Sequence, residues 1–362
     1  MKICVYAICK NEEKFVERWL KSMDEADYIC VLDTGSTDNT VKLLRQNPKV
    51  ILGEKIISPF RFDVARNESL KLIPQDTDFC VCTDLDENFE TGWRKKLEKG
   101  ITKRTNQVQY RYTWSFNPDG SEGVVFYADK IHKYGEFYWK HPVHEIITPL
   151  KPEKLNITLI KDLQLNHYPD STKSRGQYLP LLELSVKEEP NNDRNMHYLG
   201  REYFFHKKYK EAIETLNKHL ALPTAVWKEE RSSSYRYIAQ SYWKLGEMDN
   251  AEKNFKLSIL ETPTSREPYY QLGLFYYSCK KILDAIVILK AMENISNRQL
   301  NYISNPECWD WHIEDLLSLC YYEMGDNLQA FLNCRTAVAK SPNNARLRDN
   351  LKFFEDRLTN SK

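Results

Sequence analysis

The run Cys82-Thr83-Asp84-Leu85-Asp86-Glu87 places three acids within four positions. The apolar stretch Phe79-Cys80-Val81 just before it reads as a buried strand. Carboxylates crowded at a strand end repel one another and are costly to desolvate. A bound divalent cation removes that difficulty, because hard cations prefer carboxylate oxygens. Such an ion would also hold the phosphates of a nucleotide. The plain alternative is a polar loop after a strand.

The elements that must position these acids alternate in type. Ile3 to Ile8 reads as a strand and Asn11 to Met23 as a helix, with Phe15, Val16, Trp19, Leu20 and Met23 on one face. Tyr28 to Leu32, Val50 to Leu52 and Phe79 to Cys82 read as further strands; Thr40 to Gln46 and Phe62 to Leu72 read as helices. Alternation of this kind implies a parallel sheet, and such sheets bind ligands beyond the carboxyl ends of their strands. Three polar clusters fall there: Lys10-Asn11-Glu12, Asp33 to Asp38, and Asp84 to Glu87. In the second cluster Ser36 or Thr37 would cap the following helix. Its functional alternative is a hydrogen bond that Asp33 accepts from the base or ribose of a nucleotide.

The chain has 362 residues, room for two domains, and a hydrophobic fraction of 41%. Lys+Arg 52 against Asp+Glu 51 argues against a broad nucleic-acid or membrane surface. No apolar run approaches a membrane span, and the first residues read as a strand instead of an export signal. Nine scattered cysteines suit buried thiols in a reducing cytoplasm, not a disulfide or zinc framework.

Four motifs recur in order: Cys9-Lys10-Asn11-Glu12-Glu13, Val31 to Thr40, Phe62-Asp63-Val64-Ala65-Arg66-Asn67-Glu68-Ser69-Leu70, and Asp84-Leu85-Asp86-Glu87. Residues 1–170 thereby resemble the family 2 glycosyltransferases of the GT-A fold. They look closest to the bacterial and phage branch that carries tetratricopeptide repeats, which includes the sublancin-type peptide S-glycosyltransferases. The resemblance implies a UDP-sugar donor and Mn2+ or Mg2+. It puts Asp33 near the base, Lys10 and Asn11 on the donor, Arg66 near the phosphates, and Asp84 and Asp86 in the Asp-x-Asp pair, with Asp86 on the metal. Leu85 departs from the small residue usual between those acids. For Arg66 the alternative is a salt bridge near Asp63.

Residues 105–168 are rich in aromatics. Val108 to Phe116 alternates as a strand does, Asn117-Pro118-Asp119-Gly120 reads as a turn, and Val124 to Tyr127 returns as the hairpin partner. In related enzymes a segment like Trp139 to Glu145 lies on the acceptor side. By that resemblance Trp139 would stack on a sugar, and Glu145 or His144 would be the general base. His167 resembles a late histidine that completes the metal site; its nitrogen suits Mn2+ better than Mg2+. The alternatives are a strand whose His144 and Glu145 bond to neighbours, and a partly buried His167.

From residue 171 the pattern is helical. Ala212, Ala251, Ala285 and Ala330 recur at spacings of 39, 34 and 45, each with companion small and aromatic residues. The middle spacing matches a tetratricopeptide period. The expected protein is a GT-A domain over 1–170 followed by an all-α tetratricopeptide-like array over 171–362. It would transfer a hexose, glucose first among them, to a peptide or protein side chain. A cell-surface glycan or lipid saccharide is the alternative acceptor, and a non-catalytic interaction protein the alternative class. The repeats would hold the acceptor or a second subunit.

Overall fold

The computed structural model describes residues 1–117, 119–170 and 176–359. Pro118, in the expected turn, and Ser171, the first residue of the expected second domain, lie outside them. The chain divides into two compact units: Met1–Ser185 with Leu300–Tyr302, and Val186–Gln299 with Ile303–Lys362.

The first unit opens β1 (Ile3–Cys9), α1 (Glu13–Met23), β2 (Tyr28–Asp33), α2 (Thr40–Leu44), β3 (Val50–Glu54), α3 (Phe62–Leu70), β4 (Phe79–Cys82). It continues with β5 (Glu87–Phe89), α4 (Trp93–Gly100), β6 (Gln107–Thr113), β7 (Val125–Lys133), β8 (Phe137–Lys140), β9 (Ile146–Pro149), β10 (Ile157–His167) and α5 (Tyr178–Glu188). One eight-stranded sheet has the order β3-β2-β1-β4-β7-β6-β10-β5, and β8 and β9 form a separate hairpin. Every residue of β1 is buried, as its unbroken apolar sequence requires for a strand covered on both faces. α1 packs Phe15, Val16, Trp19 and Met23 inward, and the Trp19 indole donates to Thr83 Oγ1 at 3.0 Å.

β1, β2, β3 and β4 run parallel, as the alternation implies. Beyond β4 the expected parallel pattern gives way to a mixed sheet: β7 is antiparallel to both β4 and β6. The short β6–β7 connection is the reason, since a hairpin can join only antiparallel strands. The order β2-β1-β4 sets the three polar clusters side by side at one sheet edge.

The second unit is helical. Its helices pair as α6 (Asp193–Phe205) with α7 (Tyr209–Ala221), α8 (Lys228–Lys244) with α9 (Met248–Glu261), α10 (Arg266–Ser278) with α11 (Ile282–Ala291), and α12 (His312–Glu323) with α13 (Asn327–Lys340). α14 (Ala345–Thr359) follows. Ala212, Ala251, Ala285 and Ala330 are fully buried, where a larger side chain would push paired helices apart. Gly200 and Gly273 serve the same end: a Cβ there would come within 2.5 Å of Leu216 and 2.7 Å of Leu289.

Each pair turns through a left-handed residue five positions before its alanine: Lys207 (φ 60), Gly246 (φ 82), Lys280 (φ 60) and Gly325 (φ 80). A Cβ on Gly246 or Gly325 would meet nothing within 4 Å, so backbone conformation alone favours glycine here. Lys207→Gly should therefore stabilise the chain by about 0.5–1 kcal/mol, the left-handed penalty less glycine's extra freedom when unfolded. Lys280→Gly should gain less, because Lys280 also pairs with Glu323 at 3.1 Å. A Lys207→Gly urea midpoint at or below the parent's would refute this account.

A polar chain crosses the first two repeats. His197 Nδ1 and His219 Nδ1 each lie within 2.9 Å of Ser234 Oγ, and His219 Nε2 lies 3.3 Å from Glu230. Burial drives His197 down to about 3, and in the first unit burial drives His132 down to about 4, both from 6.5. Below pH 6.5 the unfolded chain takes up protons that these folded imidazoles refuse, so stability falls as pH falls toward those values. At pH 5 each histidine should remove about 2 kcal/mol relative to pH 7. Equal urea midpoints at the two pH values would show that neither imidazole is held neutral.

Candidate functional site

Asp33 ends β2 and is buried. Its Oδ1 accepts the Gly35 and Ser36 amides at 2.9 Å each, and its Oδ2 accepts the Ser36 hydroxyl and, at 3.5 Å, the Cys9 thiol. The expected contact with a base thus competes with four donors already in place, and the carboxylate shapes its own loop. Asn11 sits in the left-handed region at φ 55. Its amide donates to Ser36 Oγ at 2.8 Å, and its Oδ1 accepts the Thr37 amide at 2.7 Å. Glu12 N donates to Thr40 Oγ1 at 2.7 Å. Ser36 and Thr37 therefore fasten the loop after β2 to the loop after β1. They do not cap α2, whose N-cap is Asn39. Lys10 is exposed at the end of β1.

The acids beyond β4 part ways. Glu87 is buried and accepts from Tyr112 Oη at 2.7 Å, Lys130 Nζ at 3.0 Å and the Asp84 amide at 2.9 Å. Asp84 accepts from Arg66 Nη2 at 2.7 Å and faces Lys130 Nζ at 3.5 Å. Burial disfavours the Asp84 charge, but Arg66 and Lys130 outweigh it and hold the carboxyl below its usual range. The crowding that suggested a metal is thus answered, for Asp84 and Glu87, by two cations of the chain itself. Among the described residues no three of His, Cys, Asp and Glu gather as a metal cage.

Asp86 stands apart with His167, the last residue of β10. His167 Nδ1 lies 2.8 Å from the Trp114 carbonyl, and Nε2 lies 3.3 Å from Asp86 Oδ2. Donation from Nδ1 to a backbone carbonyl turns the Nε2 lone pair toward the carboxylate. That is how proteins orient a metal-bound imidazole. Two acceptors so close need a cation between them or a proton on the ring. Burial opposes that proton, while Asp86 outweighs burial and holds His167 above its usual value.

Arg66, on α3, is only 3% exposed. It donates to Glu145 Oε1 at 2.8 Å, Cys82 Sγ at 3.2 Å and Asp84, and its guanidinium lies 5.2 Å over the Trp139 ring. It sits under the strand end as a strut between the α3 segment, Asp84 and Glu145. Asp63 is not its partner, since Asp63 pairs with Arg61 at 2.9 Å. Trp139 is 3% exposed and its indole donates to Tyr6 Oη at 2.8 Å. The ring is thus packed within its own unit, with the Arg66 guanidinium over it. Glu145 is the carboxylate partner of Arg66, and His144, at φ 50, stacks on Tyr178 at 5.8 Å.

Lys130 escaped the sequence reading. It falls where the β6–β7 register shifts, between the Val108–Ile131 and Tyr110–Ala128 pairs, an irregularity the sequence does not mark.

A family model described as tetratricopeptide repeat matches residues 238–264, the second helix pair, so a repeat of this type is present. No curated protein matches the chain. Solved structures similar to it include MamA (21% identity, 49% of this chain, 99% of that chain, TM-score 0.39). Another is YrrB, described as a TPR protein with an unusual peptide-binding site (14%, 49% and 82%, TM-score 0.37). A third is pilF of Pseudomonas aeruginosa (12%, 49% and 72%, TM-score 0.37). No described helix is long and apolar enough to cross a membrane.

Proposed function

We propose that the first unit is a GT-A-type glycosyltransferase domain that moves a hexose, glucose first among them, from a UDP-sugar to a peptide or protein side chain. A cell-surface glycan or lipid saccharide is the alternative acceptor. The reading rests on the Asp86–His167 pair at the carboxyl edge of the sheet. One carboxylate oxygen and one oriented imidazole nitrogen, 3.3 Å apart, suit adjacent ligands of a single Mn2+ or Mg2+. When bound, the ion would neutralise charge on the leaving diphosphate. The chain's own groups support that site: Arg66 and Lys130 fix Asp84 and Glu87, and Glu87 in turn fixes the loop that carries Asp86. In this reading Lys10 and Asn11 face the donor, and Glu145 or His144 takes the acceptor's proton. The repeats would recognise the acceptor or a second subunit.

Calorimetric titration with UDP, with and without Mn2+, tests the reading. Binding should need the ion. No UDP binding in either condition would reject it in favour of the second reading, a non-catalytic interaction protein, which the tetratricopeptide match at 238–264 favours.

A further inference from the structure

The third repeat interval is longer than the second: Ala285 to Ala330 spans 45 positions and Ala251 to Ala285 spans 34. The additional chain lies between α11 and α12, and part of it crosses the first turn of α10. There Glu267 Oε1 accepts three donors: Ser304 Oγ at 3.3 Å, the Asn305 amide at 3.1 Å and Trp309 Nε1 at 3.0 Å. Arg266 Nε donates to the Ile295 carbonyl at 2.6 Å, and its guanidinium lies 4.7 Å over the Trp309 ring. Glu267 is left 6% exposed and Tyr270, one turn on, 5%.

By the repeat spacing, Glu267 and Tyr270 correspond to Arg194 and His197 of α6 and to Ser233 and Arg236 of α8. His197, Ser233 and Arg236 are buried too, at 0%, 3% and 9% exposed, and on α10 part of the cover is the segment before α12. The cover uses one hydroxyl, one backbone N–H and one indole N–H on a single buried carboxylate. Such donors would recognise an acid from any extended segment that carried them.

We infer that residues Ile303–Trp309 are an internal ligand that occupies the Glu267–Tyr270 face of α10 and excludes other extended segments from it. Glu267 is the anchor. Removing it takes away the acceptor that the three donors share and loosens the strap. The strap also seals Cys308, which is fully buried and serves as the reporter.

The test is alkylation of the full chain with a maleimide, read site by site by mass spectrometry. Cys308 should label at least tenfold faster in Glu267→Ala than in the parent, with Cys320 and Cys334 unchanged. Glu267→Gln, which keeps a carbonyl acceptor, should stay near the parent. A second variant, Ser304→Ala/Trp309→Phe, weakens the strap but leaves Glu267 in place. It should bind a fluorescein-labelled peptide of the parental Ile303–Trp311 sequence in an anisotropy titration, and the parent should not. Equal Cys308 labelling in Glu267→Ala and parent overturns the anchor. Simultaneous labelling of Cys308, Cys320 and Cys334 also overturns it, since the strap then has no independent release. Absence of peptide binding to the double variant overturns the recognition.

Discussion

Asp86→Ala should lower metal-dependent hydrolysis of a UDP-sugar by about 10²–10³-fold, the scale on which one transition-state charge stabiliser acts. The chain should remain folded. The Asp86 carboxylate is partly exposed and its nearest charged neighbour is His167, while the Asp86 carbonyl still accepts the Tyr168 amide at 2.9 Å whatever the side chain. Mn2+ affinity, measured by calorimetry without any sugar, should fall in Asp86→Ala and in His167→Ala alike. Asp84→Ala gives the contrast. It strips a partner from buried Arg66 and should act first on stability. Unchanged turnover together with unchanged Mn2+ affinity in Asp86→Ala would remove the metal from this site.

The second large effect is on stability. Arg66→Ala should cost about 3–5 kcal/mol in urea unfolding, the usual loss when one member of a buried ion pair is removed. Burial opposes the Arg66 charge, but Asp84 and then its other neighbours outweigh it, so the guanidinium stays charged. Its removal leaves the Asp84 and Glu145 carboxylates without their cation and opens space over Trp139. Arg66→Lys should recover only part of this, because one ammonium cannot reach both carboxylates and Cys82 as a planar fork does. A loss below about 1 kcal/mol for Arg66→Ala would place these contacts among ordinary surface pairs.

β1 to β4 were legible because each is an apolar run bounded by polar turns, and because period alone separates such runs from the amphipathic α1. The repeats were legible because Ala212, Ala251, Ala285 and Ala330 leave a periodic trace where helices press together. The antiparallel half of the sheet was only partly so. The hairpin of β6 and β7 shows in the alternation, but insertion of β7 beside β4 is a tertiary choice with no local mark. The site divides the same way. Asp86 and His167 are recognisable types at strand ends. Arg66 and Glu145 are 79 positions apart, and nothing in either segment announces their bond. Trp139 was ambiguous for a related reason: an aromatic suits a sugar face and a core equally well, and its burial shows only in the fold. Asp33 could be read two ways from its loop, and its backbone partners belong to the turn-forming one.

The ties among Asn11, Ser36, Thr37 and Thr40 have a kinetic consequence. The two loops at the ends of β1 and β2 are fastened to each other by the chain's own hydrogen bonds, none of which needs a ligand. Under the proposed function, association of the donor at this edge has no loop to gather and loses little conformational entropy on contact. Stopped-flow binding should be a single phase whose rate rises linearly with ligand concentration, the signature of encounter with a preorganised surface. Asn11→Ala, which cuts one of the ties, should introduce a second, concentration-independent phase as the loops find each other after the ligand has landed.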